Sequence, residues 1–199
     1  AFSAIFQRDM KGVLAYSTIS HLGLVTLLLG MNSRVALVAA VFHMMNHATF
    51  KASLFMAAGI VDHGTGTRDL RRLSGLARAM PITATLATVA AAAMAGVPLL
   101  NGFLSKEMFF AETVFAGEQP IVRIALPALA TLAGMFSVAY SLRLIHQVFF
   151  GPPAQDLPRT PHEPTRGMLL PSALLVLACL LVGMLPGRTV GPFLATATH

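Results

Sequence analysis

The stretch Val35-Ala-Leu-Val-Ala-Ala-Val-Phe-His43-Met-Met-Asn-His47-Ala-Thr-Phe-Lys51-Ala-Ser-Leu-Phe-Met-Ala-Ala-Gly-Ile60 reads as one apolar helix long enough to cross a membrane. His43, His47 and Lys51 recur every fourth residue along it. At about 100° per residue they fall within about 80° of one helix face and along about 12 Å of its axis. They make a polar stripe inside a hydrophobic rod. Ionisable groups at membrane depth are expensive, face a bundle interior or a water path, and mark ion or proton routes.

Composition sets the solvent. Of the 199 residues, 55% are hydrophobic and 11% charged, with a mean hydropathy of +0.71. That balance fits an integral membrane chain rather than a water-soluble one. Five windows are long and apolar enough for a span: about 12–30, 35–60, 81–116, 121–150 and 168–186. None alternates as a membrane strand would, so the expected fold is all-α, a single polytopic transmembrane helix bundle over 1–199.

The window at 81–116 holds Gly96-Val-Pro98-Leu-Leu-Asn101-Gly102, and Gly and Pro interrupt helices. It is expected to be one crossing by a broken helix. Lys106 and Glu107 follow the break at once, where a helix dipole and an adjacent carboxylate pull on the lysine in opposite senses.

Charge placement fits a zigzag. Arg8 and Lys11, then Arg68, Arg71, Arg72 and Arg78, then Arg159 and Arg166 are expected on one side, cytoplasmic by the positive-inside rule. Arg34 and the segment Gly117 to Pro120 belong to the other. The net charge of +6 is thus read as topology, and without Trp or aromatics interleaved with basic residues it gives no case for nucleic acid. Cys179 is the one cysteine, so a disulfide framework and a Cys-based zinc site are excluded. No dinucleotide or phosphate-binding loop and no nucleophile elbow occurs, and no cofactor is expected.

Three readings of His43, His47 and Lys51 remain open. They could glue helices by hydrogen bonds. Two His at i and i+4 could chelate zinc, but a third ligand is needed and lysine is a poor one. A proton relay uses all three, since neutral imidazole both donates and accepts and exchanges near working pH. His21 either lines a water path or is structural, beside Ser17, Thr18 and Ser20, which are read as backbone-bonded. His146 is a relay exit or an interfacial residue, while His63 and His162 read as solvated.

Three motifs carry a resemblance: Asp9-Met-Lys11-Gly-Val-Leu-Ala-Tyr16-Ser17-Thr18-Ile-Ser20-His21-Leu-Gly23, Phe42-His43-Met-Met-Asn46-His47-Ala-Thr-Phe50-Lys51, and Asn101-Gly-Phe-Leu-Ser105-Lys106-Glu107-Met-Phe-Phe110. From about Arg8 to Gly151 the chain resembles the proton-translocating, antiporter-like subunits shared by respiratory complex I and multisubunit cation/proton antiporters. Within them it is most similar to the large MrpA-type component of Mrp Na⁺/H⁺ antiporters.

The resemblance implies most of the second of two inverted repeats, each with a broken helix, in a multi-pass protein of the bacterial inner membrane. It implies a hydrophilic axis carrying protons, with His43, His47, Lys51 and Lys106 on it. Glu107 joins them as a neighbour of Lys106, and Lys11, His21 and His146 are further candidates. It also implies H⁺ and Na⁺ as transported ions, other membrane subunits and the lipid bilayer as partners, and no enzyme activity of its own. Two alternatives stay: a redox-coupled pumping subunit of an NADH:quinone oxidoreductase, and a structural membrane subunit with no ion path.

Overall fold

A computed structural model describes residues 1–31, 33–115, 120–189 and 191. The described residues are all-α: a polytopic bundle with one broken helix. Its elements are α1 (Phe2–Ile5), α2 (Met10–Gly30), α3 (Arg34–Thr65), α4 (Pro81–Ala95), α5 (Asn101–Phe115), α6 (Pro120–Phe149), α7 (Arg166–Met184) and α8 (Pro186–Thr189). A short 3₁₀ turn, Leu76–Arg78, precedes α4. Of the segment expected on the far side, residues 117–119 lie outside the described residues.

Local chemistry sets the ends. Asp9 caps α2 by accepting from the Gly12 N–H at 2.8 Å, and Ser33 caps α3 by accepting from Ala36 N–H at 2.9 Å. Pro81 opens α4 at a position that needs no N–H. The remaining α4 donors are met from far along the chain. Glu163 accepts from the backbone N–H of Ile82 at 2.9 Å and of Thr83 at 3.0 Å, and from the Thr83 hydroxyl at 2.5 Å.

By length and apolarity α2, α6 and α7 qualify as membrane spans. The longer α3 falls short because its polar stripe offsets its apolar residues. Apolar side chains cover much of the outside of α6 and α7, including Ile124, Leu132, Met135, Leu170 and Leu174. The bundle core is built from small and medium residues such as Ala57, Ala58, Ala87, Ala91 and Leu144 around Phe50 and Tyr140. This is a protein with lipid-compatible walls and a partly polar interior.

Between α4 and α5 the chain turns at Gly96, φ +89°, and passes through Leu99 at φ +70°. A side chain on Gly96 would be strained by backbone geometry and would meet the Lys106 stem at 2.9 Å. Gly102 matters for another reason. A Cβ there would lie 1.8 Å from the Ala93 carbonyl oxygen, so the first turn of α5 fits against the last turn of α4 only as glycine.

The two half-helices run in series past the same neighbours. Along α3 from its cap, Ser33 donates to Glu112 at 3.0 Å, Asn46 accepts from Asn101 at 3.1 Å, and Gly64 lies against Met80. On α6, Gly134 packs on Phe110 and Ser137 donates to Met94 O at 3.1 Å. The order along each neighbour is antiparallel and unbroken. This is the arrangement expected of one broken passage.

The basic segments gather at one end. Asp9 and Asp69 form a β-bridge, Lys11 pairs with Asp62 at 3.5 Å, and Arg68 pairs with Asp9 at 3.3 Å. The loop before α7 crosses the same end, where Arg72 donates to Asp156 O at 2.6 Å and Arg159 to His63 O at 3.0 Å. In the loop after α3, Arg71 forks onto Asp69 and holds its carboxyl down to about 2 through side-chain and backbone hydrogen bonds. A lowered carboxyl pKa stabilises the fold above the free value of about 4 and stops doing so as pH falls through about 2, so this clasp is intact at neutral pH.

Candidate functional site

The core encloses a line of polar side chains from four helices. Lys51 of α3 is buried and donates to the Leu14 carbonyl at 3.1 Å and to Ser17 Oγ. His47 lies one turn along, its ring centroid 5.2 Å from that of His21 on α2. His21 and His43 stack at 5.3 Å with 15° between their planes, and His21 Nδ1 is 3.1 Å from His43 Nε2. The other His43 nitrogen, Nδ1, is 3.0 Å from Ser105 Oγ on α5.

From His21 the line continues to the break. Its Nε2 is 3.2 Å from the Tyr140 hydroxyl, which donates to Ser137 Oγ at 3.2 Å. Lys106 Nζ donates to Ser137 Oγ and to Ala95 O, each at 2.9 Å. The Ala95 carbonyl is left over by the end of α4, so the break supplies the lysine with a backbone ligand that a continuous helix would have used. Phe50 closes the imidazole cluster on one side, its ring 5.6 Å from both His21 and His47.

Four of the residues expected from sequence come together here: His43, His47, Lys51 and Lys106. His21 stands at their centre. Three others lie apart. Glu107, a residue after Lys106 and so about 100° round the helix, is exposed and makes no hydrogen bond with the buried line, though it and Lys106 both border a cavity of about 730 Å³. Lys11 is held at the loop end by Asp62. His146 is exposed in the last turn of α6.

Sequence reading misses Tyr140, Ser137 and the role of Ser105 as a contact of His43. Ser17, expected to bond its own backbone, does donate to Leu14 O at 2.8 Å, and it also accepts from Lys51. A signal for Ser137 and Tyr140 is present: they are polar residues three apart, on one face of a long apolar helix. Among the described residues no group of three His, Cys, Asp or Glu side chains is arranged to hold a metal ion.

The arrangement can do one kind of chemistry well. Imidazoles and hydroxyls both donate and accept, and the lysines can store a proton and release it. Residues 1–133 match the family described as NADH:quinone oxidoreductase/Mrp antiporter, TM. The chain belongs to that family.

Among curated relatives, the A/B subunit of a probable K⁺/H⁺ antiporter of Rhizobium meliloti is 68% identical over 197 residues, covering 99% of this chain and 20% of the relative. The A1 subunit of a Na⁺/H⁺ antiporter of Staphylococcus aureus is 38% identical over 217 aligned residues, covering all of this chain and 27% of the relative. Among solved structures, the Mrp complex of Dietzia superposes with a TM-score of 0.84 at 41% identity, covering 98% of this chain and 20% of the matched chain. Respiratory complex I of Thermus thermophilus superposes with a TM-score of 0.85 at 27% identity, covering 98% of this chain and 40% of the matched chain. The chain thus spans about a fifth to a quarter of the curated relatives and the Mrp chain it matches.

Proposed function

We propose that this chain forms part of a multi-pass subunit of a bacterial inner-membrane antiporter that exchanges protons for a monovalent cation. His43, His47, Lys51 and Lys106, joined by His21, form the proton relay. The observation that carries the reading is the burial of three imidazoles and two lysines in one core, with no carboxylate of the described residues among their hydrogen-bond partners. Packing alone does not call for five such groups, because burying a charge is costly. Glu107, Lys11 and His146 remain candidates for access to the relay from the membrane surfaces rather than members of its buried line.

The reading places the chain as one membrane-embedded unit, with the basic end in the cytoplasm, beside other membrane subunits such as those of the Mrp assembly. It is part of a transporter, not an enzyme. Antiport is favoured over redox-coupled pumping by the 68% identity to a protein named for K⁺/H⁺ antiport, against 27% to a complex I chain. Na⁺ follows from the sequence resemblance, and K⁺ from that relative's name. Both cations belong in the assay.

The test is His47→Ala in the full-length protein and its complex, reconstituted in proteoliposomes with an internal pH dye and challenged with Na⁺ or K⁺. Normal assembly with lost cation-driven proton movement supports the relay. Normal assembly with undiminished exchange supports a structural role instead.

A further inference from the structure

No hydrogen bond joins Lys106 to His21; a pair of hydroxyls on α6 links them. Tyr140 Oη is 3.2 Å from His21 Nε2 and donates to Ser137 Oγ, which also accepts from Lys106 Nζ and donates to Met94 O. A serine hydroxyl has two lone pairs and one proton, and these contacts use all three. Tyr140 is fully buried. The cleft bounded by Ser20, His21, Lys106, Ser137 and Tyr140 has a volume of about 10 Å³, at the lower limit for one water molecule. A column of water cannot join the lysine to the imidazole there.

Given the relay reading on which it rests, the geometry points to Tyr140 as a relay residue, carrying protons with Ser137 between Lys106 of the broken helix and the His21/His43 pair. The Tyr140 hydroxyl first turns from Ser137 Oγ to His21 Nε2; Lys106 then gives a proton from Nζ to Ser137 Oγ, the Ser137 proton turns from Met94 O to Tyr140 Oη, and the Tyr140 proton passes to His21 Nε2. Each O–H bond broken is replaced by one formed, so both hydroxyls end protonated, and a turn of the Ser137 O–H back to Met94 O restores the starting arrangement. The net change is a neutral Lys106 amine and a His21 imidazolium. The titratable groups around Tyr140 Oη are His21 from α2 and Lys106 from α5, with His43 of α3 behind His21; α4 presents the Met94 and Ala95 carbonyls. The distance between Lys106 and the imidazoles is thus bridged, among the described residues, without any acidic side chain.

The test uses the full-length protein in its complex, in proteoliposomes, with Tyr140→Phe, Lys106→Ala, and Tyr140 replaced by 3,5-difluorotyrosine, a phenol of nearly the same size and greater acidity. Tyr140→Phe is expected to assemble and to lower cation-driven proton exchange about 100-fold, as loss of a positioned proton-transfer group does. The fluorinated residue should restore exchange with a displaced pH optimum, which a packing role would not produce. Wild-type exchange in Tyr140→Phe, with Lys106→Ala inactive, would remove Tyr140 and leave the relay standing. Full exchange in both would remove the relay itself. Should Tyr140→Phe not assemble, an unchanged pH profile for the fluorinated protein overturns the assignment.

Discussion

His21 of α2 and His43 of α3 stand ring against ring, Nδ1 to Nε2 at 3.1 Å, so the two imidazoles share one proton position between them. Each has a second nitrogen facing an oxygen, Tyr140 for His21 and Ser105 for His43. A proton arriving at one end of the pair can therefore leave at the other by exchange of tautomers. His21→Ala should keep the bundle and reduce cation-driven proton exchange about 100-fold, since it removes the side chain on which these contacts converge. Internal-dye fluorescence in proteoliposomes reads the rate, and retained exchange would move the path away from α2.

The break should respond to Gly102. A methyl group there would press on the Ala93 carbonyl oxygen, at 1.8 Å without relaxation. Gly102→Ala should force α5 away from α4 and cost about 1–3 kcal/mol, the range for overpacking a tight contact. Lower accumulation in membranes and a lower Tm in detergent are expected. Gly23→Ala, inside α2 at a position with open space, serves as the control and should lower neither.

The cap on α4 comes from far away in the chain and should be felt as stability. Glu163→Ala leaves the N–H groups of Ile82 and Thr83 without their carboxylate. A loss of about 1 kcal/mol is expected, as for a helix cap. Thermal unfolding in detergent measures it, and an unchanged Tm would show that water replaces the carboxylate at no cost.

Sidedness is open to labelling. Single cysteines at Gln155, in the loop at the basic end, and at Arg34, at the start of α3, occupy opposite ends of the bundle. An impermeant thiol reagent should label Gln155→Cys from the cytoplasmic face and Arg34→Cys from the outer face. The native Cys179 is buried and should stay unlabelled. Labelling of Gln155→Cys from outside would invert the orientation.

The long apolar windows, the broken helix and the His43, His47 and Lys51 stripe are legible because hydropathy and helical period are properties of one segment at a time. The convergence on His21 is not, because it depends on how α2, α3, α5 and α6 pack side by side. Ser137 and Tyr140 show in the sequence only as polar residues three apart on an apolar helix; their distances to Lys106 and His21 give them a role. Glu107 shows the converse. Adjacent to Lys106 in sequence, it points elsewhere because a helix turns by about 100° at each residue. Gly102 reads as a breaker, yet what requires it is a close backbone contact that no local pattern reveals.

The central claim is that buried basic groups here take up and release protons, and Lys51 tests it most directly. Its amine is buried and bonded to Ser17 and to the Leu14 carbonyl. Cation-driven proton exchange should be measured in proteoliposomes holding the full complex with Lys51→Ala and, separately, Lys51→Arg. Assembly with loss of exchange is predicted for both, because alanine has no proton to give and arginine keeps its own throughout. Exchange at the wild-type rate with arginine at this position would show that a fixed charge suffices and would contradict the relay.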